Sequence, residues 1–359
     1  MIIHDEMPRR NGRATTHNPQ NRFEAKAVVY DPAALEADDL RQIETKTFPD
    51  TTKTILAKND SPDIPFTFGI NPYRGCEHGC VYCYARPSHE FLGFSAGLDF
   101  ETKILYKADA PQLLETAFRK PSWIPQQIAL SGNTDCYQPI ERQFEITRKL
   151  LEVFLRFRNP VGLITKNALI TRDLDLFQSL AKEHLTVAMV SITTLRDDLV
   201  HKMEPRTSRP AARLKAIEKL ALAGIPVGVM VAPVIPGLTH EEIPAILKAA
   251  RDHGALVAGY QIVRLPRTVR SLFLKWLTDE LPLRADKIIH RLEDLHGKEL
   301  RDGRFGHRMR GKGIWAETIR HIFRAAHRQN GYMPKFPKTR TDLFRIPPQE
   351  GDQLALFGE

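Results

Sequence analysis

Six short apolar runs recur along the chain, at 64–71, 127–131, 161–165, 186–192, 226–232 and 256–263. Within them apolar residues follow one another instead of alternating with polar ones, which predicts strands covered on both faces, as in a parallel sheet. Four stretches between the runs show helical spacing: 141–156, 172–183, 211–223 and 241–253. Gly224 and Gly254 follow the last two, where a helix C-cap favours a residue at ease with positive φ. Strand and helix alternate about six times with short links. The fold class expected is α/β, a partial (β/α)6 barrel of the TIM type. An open doubly wound sheet satisfies the same pattern.

The pattern weakens at both ends. Residues 1–60 are polar and irregular and read as an N-terminal arm, with 7–19 flexible. The barrel is expected over 61–265. Residues 266–335 read as a mainly helical C-terminal extension, broken at Leu281-Pro282, and 336–359 as a Pro-rich, polar, flexible tail. There is no internal repeat and no low-complexity tract.

Composition narrows the class only a little. An apolar share of 42% is ordinary for a globular protein. No run approaches the roughly 18 apolar residues of a membrane helix. The first 22 residues lack the apolar segment of a secretory signal, so a cytoplasmic location is expected. The net charge of +9 and pI near 9.4 fit a polyanionic partner such as DNA, or simply a solvated basic surface.

Cysteine changes the picture more. Three of only four cysteines fall within eight residues, in Gly75-Cys76-Glu77-His78-Gly79-Cys80-Val81-Tyr82-Cys83. A disulfide framework would spread them out. Three thiolates on one compact loop can each take one iron of a cubane [4Fe–4S] cluster, leaving the fourth iron open to chelate a ligand. The competing readings are a zinc site completed by His78 or His89, and three structural thiols.

The spacing C-x3-C-x2-C, with Tyr82 before the third cysteine, after a first strand and ahead of an α/β repeat, resembles the radical S-adenosylmethionine (SAM) superfamily. Further residues resemble the branch that contains spore photoproduct lyase: Tyr84, Ser131-Gly132-Asn133-Thr134-Asp135, Thr165-Lys166, Val190-Ser191, Glu204-Pro205 and Val231-Ala232-Pro233. The resemblance extends over about residues 64–263. It implies a [4Fe–4S] cluster on Cys76, Cys80 and Cys83, and reductive cleavage of SAM to a 5′-deoxyadenosyl radical. It implies that Thr134 meets the amino group of the cofactor, that Lys166 and Ser191 meet its carboxylate, and that the backbones of Tyr82 and Ala232 meet its adenine. Tyr82 and Tyr84 match tyrosines that relay the radical in that branch. An electron donor such as flavodoxin or ferredoxin follows. One departure matters. The branch places a hydrogen-donating cysteine where this chain has Gly132, and Cys136, four residues on, is out of register and reads as a core residue. Arg74 and Arg86 flank the cysteine loop, able to tune it or bind an anion.

The substrate is open, with DNA or something attached to it expected. The alternatives are an iron–sulfur sensor without turnover and a zinc-stabilised nucleic-acid-binding module. Near the C-terminus, Gln353-Leu354-Ala355-Leu356-Phe357 resembles the peptide that docks on the bacterial DNA sliding clamp, so Gln353, Leu354, Leu356 and Phe357 are the expected contacts.

Overall fold

A computed structural model describes residues 12–24, 43–298, 300, 305–306 and 308–348. The elements in chain order are β1 (Lys46–Pro49), β2 (Ala57–Lys58), β3 (Phe68–Ile70), β4 (Tyr73–Arg74), α1 (Leu98–Thr102), β5 (Lys103–Tyr106), α2 (Ala110–Phe118), β6 (Ile128–Leu130), α3 (Glu141–Phe144), α4 (Ile146–Phe157), β7 (Val161–Thr165), α5 (Leu174–Lys182), β8 (Thr186–Ser191), α6 (Asp197–Met203), α7 (Pro210–Leu222), β9 (Val227–Val234), α8 (Ile243–Asp252), β10 (Val257–Ile262), α9 (Thr268–Glu280), α10 (Pro282–His296) and α11 (Gly313–Gln329).

The main sheet runs β10-β9-β8-β7-β6-β3-β2, with six parallel strands and β2 antiparallel at one edge. The parallel strands lie side by side in chain order. A doubly wound sheet would reverse direction at a switch point, so the partial barrel is the fold. Val161, Val190, Val229 and Val231 are fully buried, as continuous apolar runs require. A small second sheet, β1-β5-β4, was not legible in the sequence; it lies beside the cysteine loop, between β4 and β5.

Several expectations need correction. The strand expected at 64–71 shrinks to β3. The helix expected over 141–156 is two helices, because Glu145 sits at φ 51° between α3 and α4. Residues 12–24 are not a free arm. Arg13 donates to the Glu101 carbonyl at 2.7 Å and the Thr15 hydroxyl to Glu101 Oε1 at 2.6 Å, both buried. Residues 336–348 are not a free tail either. Segment 332–348 straps across the loops that enter the strands. Tyr332 donates to the Leu247 carbonyl at 2.6 Å, the Arg340 amide to the His184 carbonyl at 2.9 Å, and the Arg345 amide to the Phe157 carbonyl at 3.0 Å. Phe344 packs edge-on against Phe118, and Arg119 donates to the Pro347 carbonyl. Apolar anchors spaced along a proline-rich segment are what hold it down. The clamp-like residues Gln353, Leu354, Leu356 and Phe357 lie outside the described residues. No described helix is long and apolar enough to cross a membrane.

Candidate active site

The cysteine loop leaves β3 and folds through tight turns. Gly75 and Gly79 adopt φ of 80° and 66°. The Gly79 amide donates to the Cys76 carbonyl, and the Cys83 amide to the Cys80 carbonyl at 3.1 Å. A Cβ at Gly79 would come within 2.7 Å of the Glu101 carboxylate, so glycine is required there for space as well as for φ. Arg86 staples the loop. Its guanidinium donates to the Cys80, Gly79, Ala96 and Gly97 carbonyls and to Glu101 Oε1 at 2.6 Å, with both charged side chains fully buried. A guanidinium has five N–H donors, and these five contacts occupy it. Arg86 is therefore no anion receptor. Arg74 is partly committed, to Asp50 at 2.6 Å and Thr52 at 2.9 Å in the small sheet region, and is half exposed.

Above the loop lies a cavity of about 190 Å³, lined by all three cysteines of the loop and by residues at the C-terminal ends of successive strands. That is where barrel enzymes place their chemistry. Thr134, Lys166, Ser191 and Ala232, along with Tyr82 and Tyr84, all line it. The Thr134 hydroxyl donates to the Tyr73 carbonyl at 2.7 Å, which leaves its lone pairs free to accept from an N–H of a ligand. Lys166 Nζ donates to the Ala232 carbonyl at 2.7 Å and to Thr193 at 3.1 Å, and lies 3.7 Å from Glu204.

Two buried carboxylates hold these parts in place. Glu204 accepts from Arg213 at 2.5 Å, from Thr193 at 3.1 Å and from the Tyr82 hydroxyl. Burial alone would raise its pKa, but the charges of Arg213 and Lys166 and the bond from Tyr82 prevail and lower it to about 2. The Tyr82 hydroxyl, desolvated and facing Cys80 and Glu204, is held well above its ordinary pKa. Asp135 accepts from the Thr165 hydroxyl at 2.7 Å and the Lys166 amide at 2.8 Å, and sits 3.4 Å from His78. Burial opposes ionisation there too, yet His78 and these bonds keep the Asp135 carboxyl below its usual range. In the sequence Asp135 and Glu204 stand only as residues of the family resemblance, without a role, and Arg213 does not stand out, because the contacts that give them one are not local. Tyr82 and Glu204, for instance, are 122 residues apart.

The thiols are free of disulfides. Burial raises the pKa of all three loop thiols, most at Cys76 and Cys80, so a cation is what would hold them as thiolates. Among the described residues no three His, Cys, Asp or Glu side chains converge as a single metal ion demands. All three loop thiols line the cavity. His78 Nε2 is engaged by Asn167 at 3.1 Å, and His89 packs between Phe94 and Phe100 outside the cavity. Cys136 is fully buried in the core and does not line the cavity. At the mouth the Tyr84 hydroxyl donates to the Gly132 carbonyl, and the Arg264 guanidinium lies 5.7 Å from the Tyr84 ring.

A sequence model of the radical SAM superfamily matches residues 70–250. The chain belongs to the radical SAM superfamily. An uncharacterised protein of Mycobacterium tuberculosis is 33% identical over 238 residues, covering 65% of this chain and 68% of that one. The radical SAM Nα-GlyT isomerase of Pseudomonas phage M6 is 25% identical over 174 residues, covering 48% of this chain and 34% of that one. Among solved structures, a spore photoproduct lyase variant matches with a TM-score of 0.57 and 18% identity over 80% of each chain. Another variant of that lyase, with bound AdoMet and dinucleoside spore photoproduct, matches at 0.56 over the same shares and 18% identity. These likenesses are of fold. Radical SAM enzymes use a [4Fe–4S] cluster and SAM, so this chain is an enzyme of that class, and its donor set fits the pair: three free thiols and a polar, strand-end pocket on one cavity.

Proposed function

We propose that the protein binds a [4Fe–4S] cluster through Cys76, Cys80 and Cys83, cleaves SAM reductively, and acts on DNA or something attached to it. The observation that carries this reading is the meeting of Thr134, Lys166, Ser191 and Ala232, from four successive strand ends, around the three thiols. Together, cluster and cofactor supply a carbon-centred radical able to abstract hydrogen; the chain binds, orients and excludes water.

Thr134 accepts from the cofactor's amino group, because its own proton is already given to Tyr73. Lys166 supplies a point charge for the carboxylate, with Ser191 beside it. The ammonium now rests on the Ala232 carbonyl. Turned toward a carboxylate, it would release one lone pair of that carbonyl, which the Thr193 hydroxyl also faces at 2.9 Å, for a contact with adenine. The Tyr82 backbone offers the second adenine contact, while Glu204 locks its ring. Tyr84, at the mouth, is the tyrosine placed to face substrate. With Gly132 offering no thiol and Cys136 in the core, we expect no efficient repair of spore photoproduct. A flavodoxin or ferredoxin supplies the electron. The segment 353–357 delivers the enzyme to DNA through the sliding clamp.

The test is anaerobic reconstitution, followed by reduction with dithionite and SAM. About four iron and four sulfide ions per chain are expected, along with slow release of 5′-deoxyadenosine. Changing Cys76, Cys80 or Cys83 to Ala should abolish the bound iron, whereas Cys136→Ala should retain it. Stoichiometric zinc without iron would sink the reading.

A further inference from the structure

The positive charge of this chain is not evenly spread. Residues 260–348 hold 20 Lys and Arg against 9 Asp and Glu, so the rest of the sequence carries no net positive charge. Most arginines that line the interior are neutralised: Arg86 by Glu101, Arg213 by Glu204, Arg172 by Glu141 and Asp173, and Arg308 by Asp63 at 2.6 Å.

Four arginines beside the last strand are different. Arg264 lines the cavity mouth, and among the described residues its one hydrogen-bond acceptor is the sulfur of Met309 at 3.8 Å, a weak one. Burial, with Arg308 nearby, lowers its pKa, and Tyr84 and Asp63 offset only part of that. The backbone of 308–310 is pinned there, since the Ile262 amide donates to the Met309 carbonyl at 3.2 Å. Arg310 is exposed and has no carboxylate partner among the described residues. α11 docks on β10 through Phe323, stacked 4.6 Å from Tyr260. One helical face then presents Arg320 and Arg324, both exposed. Arg324 has no carboxylate partner among the described residues, and Arg320 has only an exposed Glu317 at 3.6 Å. Burial raises the Tyr260 hydroxyl, and the charges of Arg310, Arg320 and Arg324 all oppose that rise, which places the three around one point on β10.

We infer that Arg264, Arg310, Arg320 and Arg324 form a track for the phosphate backbone of a DNA strand, leading from α11 past the end of β10 to the cavity mouth. This rests on the reading that the cavity acts on a DNA-borne substrate. Like charges left together with one exposed carboxylate among them are tolerated where a polyanion supplies the counter-charge. A strand held by its phosphates is placed without regard to sequence, and Arg264 sets how deep it enters. The track lies outside the matched residues 70–250: Arg264 follows β10, and Arg310, Arg320 and Arg324 belong to the C-terminal extension.

The experiment measures anisotropy of a fluorescein-labelled 12-nucleotide DNA, single-stranded and duplex, against the full-length reconstituted protein across salt concentrations. Two variants with equal charge loss are compared: Arg320→Ala with Arg324→Ala, and Lys215→Ala with Lys219→Ala, an exposed pair at the same spacing on α7. Losing two phosphate contacts should weaken binding by about tenfold or more near 0.1 M salt and flatten the salt slope by roughly 1.4–1.8. The α7 pair should weaken it less than about twofold. A ratio between the two pairs below about threefold, or no salt-dependent binding of either DNA at 100 µM wild-type protein, overturns the track. Cleavage of SAM by wild-type protein without DNA reports the radical reading separately, so the failure of one is not mistaken for failure of the other.

Discussion

The floor and the mouth of the cavity are built on opposite principles. On the floor, Arg86 spends all five donors, Glu204 and Asp135 are each held by several hydrogen bonds or charges, and the loop glycines have no room for a Cβ. At the mouth, Arg264 has, among the described residues, a sulfur as hydrogen-bond acceptor and the Tyr84 ring beside it, Tyr84 is 42% exposed, and a Cβ added to Gly132 would meet nothing closer than Phe66 at 3.4 Å. A cluster loop must hold its shape before a cofactor arrives, so its polar groups are satisfied internally. A mouth that receives a variable partner keeps donors uncommitted, because a group already paired must be released before it can bind.

The sharpest way to break this contrast is at Arg86. Arg86→Met leaves Glu101 buried without its counter-charge, and the expected loss is about 3–5 kcal/mol in chemical denaturation of cluster-free protein. A loss below 1 kcal/mol would show that the staple is dispensable. Lys166→Ala should cost roughly 1.5–3 kcal/mol, about ten- to a hundredfold, in SAM affinity while iron content stays unchanged. An unaltered dissociation constant would remove it from the pocket.

The depressed carboxyl of Glu204 makes a prediction about pH. Its folded pKa, near 2, lies below the ordinary 4.5, so the stability it contributes is whole above pH 4.5 and is lost as pH falls toward 2. The stability gap between cluster-free wild type and Glu204→Gln should narrow by on the order of 2 kcal/mol from pH 6 to pH 3. A constant gap would mean that Glu204 titrates normally. The smallest effect is a matched pair of glycines. Gly79→Ala, at positive φ and against the Glu101 carboxylate, should cost about 1–3 kcal/mol, whereas Gly132→Ala should cost less than about 1 kcal/mol. Similar melting temperatures for the two would erase the distinction between floor and mouth.

The sequence makes the frame legible where neighbours along the chain decide it. The runs at 161–165, 186–192 and 226–232 became β7, β8 and β9 with ends shifted by no more than two residues, because a strand covered on both faces writes its burial directly into its composition. The cysteine loop was legible for the same reason: its three thiols are local. What escaped was pairing across the chain. Arg86 could be read either as tuning the loop or as binding an anion, because Glu101 is 15 residues away and nothing in between announces the contact. The Tyr82–Glu204–Arg213 group likewise joins a loop to elements beyond β8. Residues 336–348 looked like a tail because proline and polar residues suppress periodicity, while a few anchors such as Phe344 decide where the segment lies.

That strap also bears on how the chain is made. Phe118 and Phe157, early in the sheet's helical cover, meet Phe344 only after the intervening strands and helices have been translated. Arg119 and the Pro347 carbonyl close a loop of 228 residues. A nascent barrel leaving the ribosome thus exposes an aromatic seam until the segment around Phe344 covers it. Contacts so far apart in sequence slow folding and lengthen the time that sticky surface is open to other chains. Holdase chaperones have their natural target in that interval, and a ribosome stalled short of residue 344 would release a product unable to close its own base.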